Sequence, residues 1–519
     1  MLVSQRICLV DSKDIQQLGT VRFVGHIKQW PNDNCAGIEW DEVERGKNDG
    51  SLLFEGQTYR YFDTKLGLNS GSFMKVPSAV TDGSYMKLRN GRRLVVKGRT
   101  FIESLDYRYN ELDQIQKERN QEATLIGTKK VEKYGFEDLI RREADFSSLQ
   151  VVSLDHMLME DDLGCDMHVL GGSILASVTD LDLSYNMIDD LDWIVRLCDG
   201  LTTLRTLRLS GNRLYWPLGT PSTGSNSITR LIATSCGLGM SYSSTEIINT
   251  LHSCFPDVID LDLSSNWVTE LPSLADWSEL KQLDLSFNRI EGIVKMEDCQ
   301  LSILNLSDNE ITSIEGYVPS MEAIDLRDNS FSSWNNLDQF SDQFPNLKSI
   351  KFTGNPIFTT TEEEKGYDFC LMEILSRIST IVTINGTTYT ADQRKNYELY
   401  FISKVKAGEL QAPKEKIWKN LLQKYGQTET GNRATDSLIP QPMTVDVIEG
   451  DEVVFQEKLF PETTTIGKLR GKIGRKLGVN VLDLLLTIKL RNGLSEKLDN
   501  DQEYISNTGM EDKVYVGRE

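Results

Sequence analysis

The segment "GKNDG" at residues 46–50 sets two glycines around three polar side chains, just after the apolar run "CAGIEW". Gly46 and Gly50 permit backbone angles that side chains forbid, so such a loop can curl and aim its amide N–H groups at an anion. Lys47 adds a point charge, Asn48 a paired donor and acceptor, and Asp49 completes the loop, while Trp40 and Phe73 offer an aromatic wall. Together they suit an acidic peptide that ends in an aromatic residue with a free carboxylate. Asn-Asp-Gly is equally the composition of an ordinary turn, and Trp40 and Phe73 are equally candidates for a core.

A second set of candidates is acidic. Residues 151–360 hold 30 Asp/Glu against 11 Lys/Arg, a balance of −19 within a chain of net charge −21, whereas residues 1–77 hold 10 against 9. Nucleic acid, whose phosphates demand a basic face, is a poor partner for such a chain. Asp180, Asp182, Asp260, Asp262, Asp284 and Asp325 alternate with apolar positions, which predicts that they share one face of a parallel sheet and meet a Lys- or Arg-rich protein surface. A solvated acidic surface is the plainer alternative.

Catalytic chemistry is not indicated. His26, His156, His168 and His252 lie in separate settings, and no phosphate loop, nucleophile elbow or metal-ligand spacing occurs. Cys8, Cys35, Cys165, Cys198, Cys236, Cys254, Cys299 and Cys370 are scattered, as buried free thiols would be. The expectation is a binding protein with no catalytic residues, metal or cofactor. No apolar run approaches the ~20 residues a bilayer span needs, and the opening "MLVSQRICLV" lacks a signal-peptide pattern. The chain is expected to be soluble, cytoplasmic and cytoskeleton-associated, with no membrane partner.

The elements that position these residues have a period of their own. "VTDLDLSYN", "LRTLRLSGN", "ITRLIATSC", "VIDLDLSSN", "LKQLDLSFN", "LSILNLSDN", "MEAIDLRDN" and "LKSIKFTGN" share one apolar spacing that ends on Asn or Cys, after a fainter first copy, "LQVVSLDHM". These are leucine-rich repeats, in which apolar positions fill a continuous core and each Asn amide satisfies turn backbone. The segment "VEKYGFEDLIRREADFSSLQ" is expected to be a capping helix before them, and "YDFCLMEILSRISTIVTINGTTYTADQRKNYELYFISK" a helical cap behind. A multidomain chain follows: a small β domain at 1–80, a connecting segment at 81–130, an α/β repeat solenoid with caps at 131–404, a linker with a short helix at 405–440 and an α+β domain at 441–519. In the last, the ββαββ order resembles a ubiquitin-like β-grasp domain, and its final "VGRE" lacks the Gly-Gly that conjugation needs, so a docking module is expected.

At the front, "LGTVRFVGHI", "CAGIEWD", "GKNDGS", "YRYF" and "GSFMKV" follow the order of a CAP-Gly domain, and the chain resembles that family over residues 1–77. The resemblance implies, as ligand, the carboxy-terminal tail of α-tubulin. One departure is visible: "LLFEGQTY" is about four residues longer than usual. The three modules in this order resemble the E-type tubulin-folding cofactors. That resemblance implies binding to α-tubulin and the αβ-tubulin heterodimer, work with cofactors B, C and D and an Arf-like small GTPase, and assembly or dissociation of the heterodimer. Two alternatives stay open: a microtubule-associated CAP-Gly adaptor, which the lack of heptads or basic flanks disfavours, and a ubiquitin-pathway substrate receptor, for which no recruiting helix is evident.

Overall fold

The computed structural model of the 519-residue chain describes residues 2–67, 69–76, 84–88, 91–111, 125–126, 129–130, 146–161, 175–216, 227–296, 299–426, 442–450, 452–461, 464–489 and 495–518. It divides into two units, Met1–Glu291 with Met296–Asn309, and Gly292–Lys295 with Glu310–Glu519.

The first unit begins with β1 (Arg6–Val10), β2 (Gln16–Ile27) and β3 (Trp30–Trp40), then a hairpin of β4 (Ser51–Phe54) and β5 (Gln57–Arg60), then β6 (Gly71–Lys75). Two further strands, β7 (Tyr85–Lys87) and β8 (Arg93–Val95), come from the segment expected only to connect domains. The antiparallel sheet runs β6-β3-β2-β1-β8-β7, so that Leu94 pairs with Leu9 and joins Met86, Ile7, Val21, Ile38 and Trp40 in one core. Burial of Met86 and Leu94 explains the pairing, since a strand with one apolar face needs a partner to cover it.

From Gly98 the chain is welded to the repeats. Gly98 N–H donates to the Glu160 carboxylate, Arg99 N–H to Leu158 O, and Glu160 N–H to Arg99 O. A Cβ at residue 98 would lie 2.4 Å from Leu158 O, so only glycine allows this approach. The helix Phe101–Asp106 follows, started by a Thr100–Glu103 capping box, and sets the Phe101 ring 6.5 Å from that of Trp193 in the repeat core.

Seven parallel strands of the repeats, from Val151–Ser153 to Ile303–Asn305, pair in register within the first unit, each with its central residue buried. The ladder residues act as their spacing predicts. Asn212, for example, donates to Leu183 O and Leu209 O at 2.9 Å and accepts from Asn186 N–H, while Cys236 turns its thiol to Leu209 O. These bonds hold a left-handed residue before each ladder position: φ is +54° at Tyr185, +73° at Gly211, +58° at Ser265 and +54° at Phe287. A non-glycine residue there costs about 1–2 kcal/mol, which the buried amide bonds offset. Of the expected capping helix before the repeats, residues 131–145 lie outside the described residues, and Phe146–Ser148 forms one 3-10 turn.

In the second unit the strands Ala323–Asp325, Ser349–Lys351 and Thr383–Ile384 are parallel, and Thr387–Thr388 folds back on the last of them. Helices Pro356–Lys365, Tyr367–Arg377 and Ala391–Lys406 close the repeat core. Arg377, 1 % exposed, is paired there with Asp338 and Glu373 at 2.6 and 2.8 Å. The carboxy-terminal sheet orders its strands as Glu452–Leu459, Met443–Glu449, Lys513–Arg518, Leu484–Lys489 and Ser495–Lys497, with Ile466, Leu469 and Ile473 of the helix Ile466–Leu477 buried against it. This is a β-grasp, and its helix faces the repeat cap. Lys472 reaches Asp368 of the cap at 2.8 Å and Glu457 of its own domain at 3.3 Å, while Phe460 packs edge-on against Tyr397 and Tyr400.

Candidate peptide and repeat-face sites

Strand β3 delivers the loop through a single 3-10 turn, Val43–Arg45. Lys47 N–H and Asn48 N–H both donate to Gly71 O, at 2.7 and 3.1 Å, and Gly71 N–H returns a bond to Asn48 O. Gly50 N–H donates to the Asn48 side chain, and Ser51 N–H to Asp49. The expected outward nest of amides is therefore not formed, because these N–H groups clip the loop to the start of β6 instead. The two glycines serve that closure: a Cβ at residue 46 would lie 1.9 Å from Asn69 O, and one at residue 50, where φ is +87°, 2.0 Å from Phe62 O. Asp49 is engaged inside the domain by Arg60 at 2.7 Å. Lys47 stays exposed.

The aromatic wall is also composed differently. Trp40 is 2 % exposed, packed in the sheet core beneath the Arg45 guanidinium at 4.4 Å, and presents no face to a ligand. It follows the inward alternation of β3 with Ile38 and Ala36. Phe73 stands with Tyr61 at 5.4 Å, Phe62 at 5.3 Å and Phe23 at 6.4 Å, and Phe23 touches Tyr61 at 5.4 Å. Phe62 is buried; Phe23, Tyr61 and Phe73 are half-buried and form the aromatic surface beside the loop. Phe23 and Tyr61 were within reach of the sequence, since "VRFVGHI" and "YRYF" were both recognised as segments of the domain, but their facing required the β2–β3–β6 pairing.

The stretch "LLFEGQTY", expected to be longer than usual, makes a hairpin. Leu52 pairs with Tyr59, and the turn Glu55-Gly56 has φ of +50° and +79°, the two left-handed residues of a type I′ connection. Its base is tied to the β2–β3 turn: Lys28 N–H donates to the Tyr61 hydroxyl and Gln29 to Leu53 O.

On the repeats, Asp180, Asp182, Asp260, Asp262 and Asp284 occupy two rows of one parallel sheet. The first row is partly neutralised, with Asp260 paired to Arg230 at 3.0 Å and Asp180 to Arg208 at 3.9 Å. In the second row each carboxylate accepts the N–H two residues on, Asp182 from Ser184, Asp262 from Ser264 and Asp284 from Ser286, so these aspartates also shape the turn. Asp325, in the second unit, is buried and gripped by Arg327 and Lys351 at 2.8 and 3.0 Å, and it has little left to offer a partner. Burial, helped by Asp284 and Asp260, raises the pKa of Asp262 despite its bonds to Ser264. Among the described residues no cluster suited to a metal ion occurs, and no helix is long and apolar enough to cross a membrane.

Residues 3–79 match the CAP-Gly domain family model. The chain is similar to Protein PAC2 of Saccharomyces cerevisiae, 28% identical over 78% of this chain and 75% of that protein. It is similar to tubulin-specific chaperone E of Homo sapiens, 26% identical over 93% of this chain and 92% of that one. The solution structure of the ubiquitin-like domain of mouse tubulin-specific chaperone E aligns with 18% of this chain and 95% of its own length, at 20% identity and a TM-score of 0.14. With a CAP-Gly domain, leucine-rich repeats and a β-grasp domain in that order, the chain is similar to tubulin-specific chaperone E over 93% of its length.

Proposed function

We propose that this chain is a tubulin-folding cofactor, whose CAP-Gly domain takes the acidic, aromatic-ended tail of α-tubulin and whose repeat face binds the folded body. With cofactors C and D and an Arf-like small GTPase it assembles or dissociates the αβ-tubulin heterodimer, and cofactor B is a further partner. The observation that carries this reading is the exposed Lys47 beside Phe23, Tyr61 and Phe73, a cation and an aromatic surface that together match a terminal aromatic residue and its carboxylate. The names of the relatives that span almost the whole chain point the same way. The chemistry it performs is non-covalent, and nucleotide hydrolysis belongs to its partners.

Sedimentation of soluble tubulin with the full-length protein and cofactor D is the test. The heterodimer should shift to a new species with the full chain and not with its CAP-Gly segment alone. Tight co-pelleting with intact microtubules and no effect on free dimer would hand the case to an adaptor.

A further inference from the structure

Asp41 directly follows β3 and lies five residues before the Gly46 end of the loop. It is bound by Arg6 of β1 through two bonds of 2.6 and 2.8 Å, and Arg213 approaches it at 3.5 Å from the repeats. Arg213 itself follows the ladder residue Asn212 and donates to Ser235 O at 2.6 Å, five residues beyond the strand residue Arg208 on the acidic face. Both sides of this joint are buried or half-buried, and a second contact backs it: Met187 of the repeats enters an apolar cluster with Cys8 and Val10 of the sheet. A cleft of about 300 Å³ separates Glu42 and Arg45, at the root of the loop, from Tyr185 and Gly211 of the repeats. The loop and the repeat face are thus each a few residues of backbone from one shared carboxylate.

We propose that Arg213, through Asp41, is a positioning residue that holds the CAP-Gly loop at a fixed distance and angle from the acidic repeat strands, so that one partner carrying both an acidic tail and a basic folded surface meets both at once. The inference rests on the tail and repeat-face reading above. Burial would raise the pKa of Asp41, but Arg6 and Arg213 outweigh it and hold the carboxylate below its usual range. Loss of Arg213 leaves the Arg6–Asp41 pair intact, so the domain keeps a neutral, bonded core, and what is lost is the attachment together with the bond to Ser235 O within the repeats. A rigid joint spares the second contact the ordering cost that a flexible one carries, and this raises avidity without a new contact.

The test uses the full-length protein as parent, Arg213→Ala with Met187→Ala, and Arg213→Lys with Met187→Ala, each with spin labels at the exposed positions 55 and 279. Pulsed EPR should give one narrow distance in the parent and a broadened one in the double alanine variant. Tail-peptide affinity should stay within about twofold, affinity for the heterodimer should fall about tenfold, and the Arg213→Lys variant, which keeps the charge, should recover most of it. A narrow distance in the double alanine variant, or an undiminished heterodimer affinity beside a broadened distance, would overturn the proposal. A parent that binds no tail peptide would instead remove the tail reading, while the distances would still decide whether Arg213 holds the joint.

Discussion

Asp262 and Asp284 are direct partners across two parallel strands, and neither carboxylate meets a cation among the described residues. Each accepts bonds from its own turn, and Asp284 also from the Asn305 amide at 2.7 Å, but no cation offsets their mutual repulsion; burial first, and then the neighbouring Asp284 and Asp260, raise the pKa of Asp262. A basic partner surface relieves that repulsion, so binding is expected to depend on this pair more than on Asp180, Asp260 or Asp325, which have cations already. Asp262→Lys with Asp284→Lys should slow association with soluble tubulin most at low salt, where screening is weakest. Stopped-flow traces that overlay with the parent at low ionic strength would remove the repeat face from the binding scheme.

The loop makes a separable prediction. Because Lys47 is exposed and carries its charge outward, Lys47→Ala should weaken tail-peptide binding by about 1.5–3 kcal/mol, the scale of a hydrogen bond to a charged group, and leave the melting temperature unchanged. Asn48→Ala is a different experiment. The Asn48 side chain accepts Gly50 N–H, so its loss should lower stability as well as affinity. Calorimetry on both variants distinguishes a ligand contact from a loop strut; equal peptide affinity in Lys47→Ala would strike this lysine from the site.

The repeats, their ladder and the β-grasp helix were legible because their apolar periods are local: Leu181, Leu207 and Leu261 are buried at the predicted spacing, as are Ile466, Leu469 and Ile473. Neither β7 nor β8 was legible. Three-residue strands are too short to show a period, and they find their place only by covering β1. The site was half legible. Residue types single out the loop as a unit, but whether an amide or an aromatic ring turns outward depends on cross-strand partners such as Gly71 and Phe62, which no local pattern encodes.

A pH dependence follows from Asp189. Burial, followed by the nearby Asp161, pushes its pKa up to about 6, against about 3.9 in an unfolded chain. A carboxyl with a raised folded-state pKa contributes stability that is present below the unfolded value and is lost as pH rises through the folded one. Asp189→Asn removes that loss. The variant's stability advantage over the parent should therefore widen between about pH 5 and about pH 7.5, read from denaturant midpoints at the two pH values. An advantage that stays flat or shrinks over this range would contradict the assigned direction.

In the second unit, Lys472 is held charged. Burial alone would lower its pKa, yet Asp368 and Glu457 raise it. Lys472→Met removes the cation paired with the buried Asp368, which keeps only its bond from the Tyr397 hydroxyl at 2.8 Å, while Glu457 keeps Lys476 at 2.7 Å; the loss should be about 3–5 kcal/mol of local stability, typical of a broken buried pair. Hydrogen exchange should show early opening at the helix Ile466–Leu477 and at the cap around Asp368. Protection equal to the parent at both places would mean that the contact contributes little.

The last prediction sets Trp40 against Phe23. Both are aromatic residues of the CAP-Gly sheet near the loop, and composition alone makes either a wall for a terminal aromatic side chain. Trp40 is sealed in the core, so Trp40→Ala should cost about 3–5 kcal/mol of stability, the usual penalty for a buried aromatic truncation. Trp40→Phe keeps most of the packing, and it should retain the parent's peptide affinity wherever the domain remains folded. Phe23 faces Tyr61 and Phe73 with part of its ring in solvent, so Phe23→Ala should leave the fold largely intact and weaken the peptide by about 1–3 kcal/mol, the scale of one buried aromatic contact. Tyr61→Ala should behave like Phe23→Ala, with the added loss of the bond from Lys28 N–H. Paired melting curves and fluorescence titrations read both quantities on the same samples. Peptide affinity that falls in Trp40→Phe and holds in Phe23→Ala would return the wall to Trp40 and move the binding surface to the opposite side of the sheet.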